Sequence, residues 1–518
     1  MICSLSIGVL TLFGTLLVLV LTKDLIWLLK SLKYIKQGIP IRYFPFIGFA
    51  KYLDNPSKQH GLEDFFGLFQ SPKSHDKTEK LIQMNGLSTE PNIFLNDQEL
   101  IKEFFQKETE VSYTENTLDF PPINAFLFGA DAHKVQKDRA IFAEIFYPKN
   151  LKKQTPTIRK IVQKHLDRIK TAVKVEGPES KNQVEDGPEI ELKPYLKDIF
   201  TDIVSFVLFG GQIPKIEGEL LVNLIDKSFN DYFNNRTSFL HIITGGLSTK
   251  LGLDSKFNEA ERIYRKTVKK VKEVVKWREN DPNYQLGCNA IDLLILKNRD
   301  LEAQYKPGEK MTYDQIADNI LSIVFAGMDT SRNLTESSLY KLSRDSGLQQ
   351  GLREAVREQV LSTGEGKDYD MYDNSELLDA FIKEALRLFS PTSMSFHRRI
   401  LKTFKLGQYT INKGDFVVVP YTAIQIKPEV FGGETRKFDL SKYEEKKRIK
   451  HLSKSVLIPF SAGKRACLGR NLAYIMVKVI LCNFLDQFEL GASGEPNRRF
   501  LETTIGLEHC KARLRSLR

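Results

Sequence analysis

The sequence predicts a mainly helical α+β protein: a large helical domain with small antiparallel β-sheets, behind one N-terminal transmembrane helix. Three features predict this class. Ile2 to Thr22 is a charge-free, mostly apolar run. Several later segments repeat apolar side chains at the three- and four-residue spacing of a helix, and the alternating stretches that read as strands are only a few residues long. The chain has 518 residues, 42% hydrophobic and 27% charged, enough for a sizeable core. Length alone suggests about three domains, yet no Pro-, Gly- or Ser-rich linker divides the chain. The expected organisation is therefore an anchor at 1–22, a basic proline-containing hinge at 23–45 and one domain over 46–518.

Composition narrows the classes of function. The five cysteines (Cys3, Cys288, Cys467, Cys482 and Cys510) are odd in number and never in paired spacing. That pattern argues for a reducing compartment and against a disulfide framework or a zinc site. A net charge of +11 suits nucleic acid, acidic lipid or an acidic protein partner. No basic stripe interleaved with aromatic residues is present, which sets nucleic acid aside.

Taken in order, the 21 residues Ile2 to Thr22 reach across a hydrocarbon core of about 30 Å at about 1.5 Å per residue. Lys23, Lys30, Lys33, Lys36, Arg42 and Lys51 follow with only Asp24 against them, which places the rest of the chain in the cytoplasm. Gly38-Ile39-Pro40 and Pro45 stiffen the exit. Short strands are expected within Leu81 to Leu95, then a helix over Gln98 to Gln106. Val111 to Phe128 has no period and reads as a loop, Val175 to Glu189 as a surface connection, and Ile190 to Phe209 as an amphipathic helix stopped by glycine. Thr312-Tyr313-Asp314-Gln315 is a capping box opening a long helix. In its middle lies Ala326-Gly327-Met328-Asp329-Thr330, where an interior glycine costing about 1 kcal/mol suggests close approach to the backbone. Helices follow over Arg344 to Leu361 and Glu376 to Phe389, the second with Glu384 and Arg387 on one face. Strands are expected at Phe404 to Leu406, Gln408 to Ile411 and Phe416 to Pro420, then a helix that includes Ala423 and Ile424.

The stretch around which these elements are organised is Pro459 to Ala473, PFSAGKRACLGRNLA. A small-residue loop delivers Cys467 and runs into a helix whose inward face is Leu472, Ile475, Met476, Val479 and Ile480. The amides of Leu468 and Gly469 are expected at the opening of that helix, where unpaired N–H groups stabilise an anionic sulfur, and Arg465 adds positive charge. Such an arrangement presents a thiolate to a metal. A phosphate loop is excluded, because the leading glycine and the Ser/Thr after Lys464 are missing.

With Phe460, Gly463, Arg465, Cys467, Gly469 and Ala473 in place, the segment resembles the haem-binding signature of the cytochrome P-450 family, of the microsomal, membrane-anchored type. The resemblance implies the haem-thiolate monooxygenase fold, haem b (iron protoporphyrin IX) as cofactor and Cys467 as axial iron ligand. It implies that dioxygen approaches Ala326 and Gly327, that Thr330 holds the oxygen-bound water chain, and that Asp329 feeds it protons. Glu384 and Arg387 match the family's ExxR pair. The usual third partner comes from F-x-P-x-R-F, where Phe438 to Tyr443 offers Lys442 in place of arginine. Haem propionates are expected to meet Arg139 in one register of the Gly129 to Phe146 helix, or His133 and Lys137 in the other, together with His397 or Arg398. The basic run Lys446-Lys447-Arg448 with Lys450 suits an acidic NADPH-dependent flavoprotein reductase, with cytochrome b5 as an alternative donor, since the chain has no dinucleotide fingerprint of its own. The implied setting is the endoplasmic reticulum membrane, single-pass, with a cytosolic catalytic domain acting on a lipophilic sterol, fatty acid or xenobiotic. Two rivals stay open: a haem-thiolate isomerase or dehydratase that needs no reductase, and a membrane-tethered haem sensor.

Overall fold

A computed structural model describes residues 2–43, 80–84, 89–114, 132–176, 184–210, 220, 224, 251–253, 255–282, 286–287, 289–304, 310–361, 368–373, 375–431, 434–443, 457–494, 499–501 and 504–517. Of the expected loop Val111 to Phe128, Val111 closes a helix and Ser112–Thr114 form a strand, while residues 115–128 and the basic run at Lys446 to Lys450 lie outside the described residues. In chain order the elements are α1 (Ile2–Ile35), β1 (Ile41–Arg42), β2 (Leu81–Met84), β3 (Asn92–Leu95), α2 (Gln98–Val111) and β4 (Ser112–Thr114). Then come α3 (Ala132–Ala143), α4 (Pro148–Glu176), β5 (Glu189–Glu191), α5 (Lys193–Phe209), α6 (Ser255–Asn280), α7 (Ala290–Ala303) and α8 (Tyr313–Ser343). The remainder is α9 (Ser346–Ala355), α10 (Asp368–Asp373), α11 (Glu376–Leu388), β6 (Arg398–Ile400), β7 (Phe404–Leu406), β8 (Tyr409–Ile411), β9 (Phe416–Val418), α12 (Tyr421–Gln425), α13 (Pro428–Phe431), α14 (Arg470–Gln487), β10 (Phe488–Gly491), β11 (Arg499–Leu501), β12 (Ile505–Leu507) and β13 (Lys511–Ser516).

Two apolar cores organise these elements. The larger is helical and draws on α4, α5, α8, α11 and α14, with Phe200, Ile320, Phe381 and Phe484 fully buried in it. The smaller lies under the sheet, where Tyr34, Ile93, Phe104 and Val417 close together. α8 crosses the larger core and touches α5, α6, α11 and α14. It starts as expected: the Thr312 hydroxyl accepts from the Gln315 amide at 3.2 Å, and the Thr312 amide donates to Gln315 Oε1 at 2.8 Å. All five residues expected on the inward face of α14 are buried.

The sheets depart from expectation in one respect. The six-stranded sheet, ordered β1-β2-β3-β9-β6-β4, is mixed, since β1 runs parallel to β2 and β3 runs parallel to β9. Strand direction is set here by partners more than 300 residues apart, Asn92 beside Phe416, and alternation within one strand carries no trace of that. The three-stranded β10-β13-β5 sheet and the β7-β8 and β11-β12 hairpins are antiparallel.

α1 corrects a boundary. The helix does not stop at Thr22; it continues to Ile35, and its second half is docked on the domain. Trp27, Ser31 and Tyr34 are completely buried. The Tyr34 hydroxyl donates to Asp415, Lys33 pairs with Asp415 at 2.8 Å, and Lys30 pairs with Glu90 at 2.6 Å. Two lysines of the basic flank are therefore structural ion pairs. Burial and the Asp415 carboxylate push the Tyr34 hydroxyl pKa up. The helix ends where Gly38 turns with φ 73°. Among the described residues no helix is long and apolar enough to cross a membrane.

Candidate functional site

The cysteine loop lies at the seam of the two cores: Phe460 and Leu468 lean on the larger one, Ile458 and Ala462 on the smaller. It is pinned by its own backbone. The Cys467 amide donates to Phe460 O at 2.9 Å, Ala466 to Gly463 O at 3.2 Å, and Ser461 to Ile458 O at 2.9 Å. Gly463 has φ 71°, and a Cβ there would stand 2.7 Å from Glu108 Oε1 and 2.8 Å from Phe105 O. Only glycine fits both the dihedral and the space. Phe460 itself packs its ring 5.5 Å from that of Tyr474.

Cys467 is exposed, whereas Cys482 and Cys510 are buried. Surrounding protein pushes its thiol pKa up, and the amides of Gly469 and Arg470, with the charges of Arg139 and Arg470, pull the other way. The expected pair of amides was Leu468 and Gly469. The structure moves it on by one residue, because α14 begins at Arg470 with Gly469 as its cap.

Three buried arginines gather behind the loop: Arg139 from α3, Arg398 from β6 and Arg465 from the loop itself. Arg139 donates to the carbonyl of Ala466. Among the described residues the carboxylate that faces them is Glu108 of α2, itself buried; its Oε1 accepts from the Arg465 amide at 3.0 Å and its Oε2 lies 3.5 Å from Arg398. Desolvation and the two neighbouring guanidiniums bring the Arg465 pKa down to about 10. Burial pushes the Glu108 carboxyl pKa up against the pull of all three arginines. Neither Nη1 nor Nη2 of Arg465 has a hydrogen-bond partner among the described residues. Such groups are rarely left so. Three guanidiniums against one carboxylate, with one fork free, fit a ligand bearing two carboxylates beside a thiolate-bound metal, as haem does.

The residues expected at the propionates are placed differently around the loop. Arg139 belongs to the cluster, and Val135 is buried one turn before it. Lys137 is half-buried on the same helix. The side chain of His133 lies outside the described residues. Arg398 joins the cluster, while the His397 ring stands edge-on to Phe416, with centroids 5.6 Å apart.

On α8, Ala326 is exposed and Gly327 and Thr330 are half-exposed in the middle of a helix whose neighbouring turns are buried. A Cβ on Gly327 would meet nothing within 4 Å. The Thr330 hydroxyl donates to Ala326 O at 2.8 Å, and Asp329 is buried against Arg332, Oδ1 to Nη2 2.9 Å.

Glu384 and Arg387 form a fully buried pair with two bonds of 2.7 Å. Arg387 also donates to the carbonyls of Gln425, Thr435 and Lys437, so all five of its N–H groups are used. The expected third partner, Lys442, is in place as a loose ion pair, and two tighter donors stand beside it. Lys442 stands 3.9 Å from Glu384 Oε1 and 3.5 Å from Asp439, whereas the Tyr443 hydroxyl donates to Glu384 Oε2 at 3.0 Å and the Asp439 amide to Oε1 at 2.9 Å. Sequence reasoning missed Tyr443 and Glu108. The only hint of Tyr443 was its place beside Lys442, and Glu108 looked like any charge on an amphipathic helix.

The family model "Cytochrome P450" matches residues 68–513 of the chain. Cytochrome P450 26B1 of Rattus norvegicus is 25% identical over 439 residues, covering 82% of this chain and 76% of that protein. A cytokinin hydroxylase of Arabidopsis thaliana is 26% identical over 424 residues, covering 80% and 76%. The crystal structure of the cytochrome P450DA heme domain superposes with a TM-score of 0.69 at 17% identity, covering 92% of this chain and 97% of that one, a likeness of fold.

Proposed function

Since the chain belongs to the cytochrome P450 family and is a haem protein, we propose that it is a monooxygenase that inserts one atom of dioxygen into a lipophilic organic substrate and releases the other as water. The observation that carries this reading is the pairing of an exposed cysteine with three buried arginines that, among the described residues, face the carboxylate of Glu108. Haem held by a thiolate supplies reductive activation of dioxygen.

The chain's own residues do the rest. Cys467 would hold the haem iron through its sulfur, whose negative charge the Gly469 and Arg470 amides support. Arg139, Arg398 and Arg465 hold the propionates, with Arg465 free to make the bidentate bond that arginine favours. Ala326 and Gly327 leave room against α8. Thr330 and Asp329 hold and move the protons that oxygen reduction consumes. Glu384 and Arg387 lock α11 to the segment ahead of the loop.

The substrate is a sterol, a fatty acid or a xenobiotic; the naming of one relative as a cytokinin hydroxylase supports hydroxylation as the reaction type. Electrons come from an NADPH-dependent flavoprotein reductase or cytochrome b5. The apolar run Ile2 to Thr22 supports a single-pass anchor in the endoplasmic reticulum membrane, with residues 46–518 as a cytosolic catalytic domain.

The test is the absorption spectrum of the reduced, carbon-monoxide-treated protein. The thiolate-type band is expected in the native chain and absent from Cys467→Ala; a colourless native protein after hemin supplementation overturns the reading. Product formation that requires NADPH and a reductase separates the monooxygenase from a peroxide isomerase and from a sensor.

A further inference from the structure

One buried carboxyl on α8 has no part in the site described so far. Glu336 is completely shielded from solvent, and neither of its carboxyl oxygens accepts a hydrogen bond from a described residue. Its neighbour on the helix, Asn333, is also buried but donates to Thr504 Oγ1 at 2.7 Å. A carboxyl left this way is costly, and the fold gains no hydrogen bond in return.

Its position gives it a use. Asp329, Arg332 and Glu336 recur at three- and four-residue steps and so share one face of the helix. A single guanidinium stands between the two acids: Arg332 Nη2 is 2.9 Å from Asp329 Oδ1, and Arg332 Nε is 3.5 Å from Glu336 Oε1. Arginine keeps its charge in proteins, so it cannot pass a proton along; it can only favour one acid or the other.

We propose that Glu336 is a positioning residue for the oxygen-protonating pair: by competing with Asp329 for Arg332, it sets whether Asp329 is held in an ion pair or released to deliver protons. With Glu336 protonated, Arg332 stays on Asp329, the nearer of its two acids in this structure. With Glu336 ionised, the guanidinium is drawn along the helix and Asp329 is released.

The surroundings suit a group that changes state near neutrality. Burial pushes the Glu336 pKa up to about 7; Arg332 and Lys193 oppose that rise, and Asp329 and Glu191 add to it. Lys193 of α5 is committed to Leu507 O at 2.6 Å, and Glu191 of β5 accepts from the Lys193 and Cys510 amides. Cys510 donates to the backbone carbonyl of Glu336. His509, exposed, lies 3.5 Å from Glu191, which brings this charged end of the network to solvent.

The inference rests on the monooxygenase reading. In coupled turnover, substrate C–H, O2, two electrons from the reductase and two protons give C–OH and water. When proton delivery fails, the same two electrons and two protons leave as hydrogen peroxide and the substrate is unchanged.

The experiment uses the full-length haem-loaded protein, the Glu336→Gln and Arg332→Gln variants, and two readouts. The first is infrared difference titration of the resting protein. A protonated-carboxyl band that is lost with a midpoint near neutrality is expected in the native chain and absent from Glu336→Gln. The second is the share of reducing equivalents released as peroxide rather than water during reductase-driven oxygen consumption. That share is expected to fall about threefold or more between about pH 6 and about pH 8 in the native protein. Glu336→Gln should stay at the high level and Arg332→Gln at the low level, both without pH dependence. Native pH dependence in Glu336→Gln overturns the proposal, as does a native infrared band that does not titrate. If Glu336→Gln does not fold, Arg332→Gln decides alone: a native-like peroxide profile in it also overturns the proposal. Loss of the thiolate-type carbon-monoxide band in the native chain is a failure of the monooxygenase reading instead.

Discussion

Glu384 shows how a signature residue depends on neighbours that the signature does not contain. It accepts from Arg387, from the Asp439 amide and from Tyr443, while Lys442 stays at 3.9 Å. Hydrogen bonds to a charged group are worth about 1.5–3 kcal/mol, against less than about 1 kcal/mol for a loose ion pair. Tyr443→Phe should therefore destabilise the protein more than Lys442→Ala does, by about 1 kcal/mol or more in denaturant titrations. A similar contrast applies behind the cysteine. Glu108→Ala removes the carboxylate facing three buried guanidiniums, and breaking a buried pair costs about 3–5 kcal/mol; transfer of haem to an acceptor protein should be faster than in the native chain, and Glu108→Gln, which keeps the acceptor for the Arg465 amide, should lie between. Cys467, Glu384, Arg387, Asp329 and Thr330 could be named from the sequence as candidates because each sits in a short local pattern. Glu108 and Tyr443 were not, since each acquires its role from a segment distant in sequence, Arg465 or Glu384.

At the scale of elements, the sequence resolved the long helices best. α8 opens at the capping box that Thr312 and Gln315 spell out, and α14 buries the whole of its expected face. Ends were harder to place: α2 runs five residues past Gln106, and α1 passes through the charged residues that seemed to close it. In α1 the reason is tertiary. Lys30 and Lys33 meet Glu90 and Asp415, which only the folded domain brings to them. The outward side of the same segment exposes Leu25, Leu29, Leu32 and Ile35. Replacing Tyr34 by Phe removes its bond to the buried side of Asp415 at a cost of about 1–3 kcal/mol. Limited proteolysis should then cut near residues 36–43 sooner than in the native protein, with the carbon-monoxide spectrum unchanged; unaltered cleavage would show that the helix is held by Trp27 and its apolar contacts alone.

Over the whole molecule, the buried acid on α8 makes stability depend on pH. Because the carboxyl binds its proton more tightly folded than unfolded, its contribution is complete below the ordinary glutamate value of 4.5 and is lost as pH rises to about 7. At about 1.4 kcal/mol per pH unit, the loss across that window is about 3 kcal/mol. Glu336→Gln should remove it, leaving the variant more stable than the native protein at pH 8 and similar at pH 4.5 in chemical denaturation. The arginine cluster acts at the same scale. Before the cofactor arrives, the newly made chain must bring three like charges into its interior facing, among the described residues, the single carboxylate of Glu108, and a partner that binds only the folded form shifts that balance by mass action. Biosynthesis therefore couples maturation to porphyrin supply: in cells starved of iron or of the pigment's precursors, the polypeptide should fail to mature and be degraded, so its abundance becomes a gauge of cofactor availability.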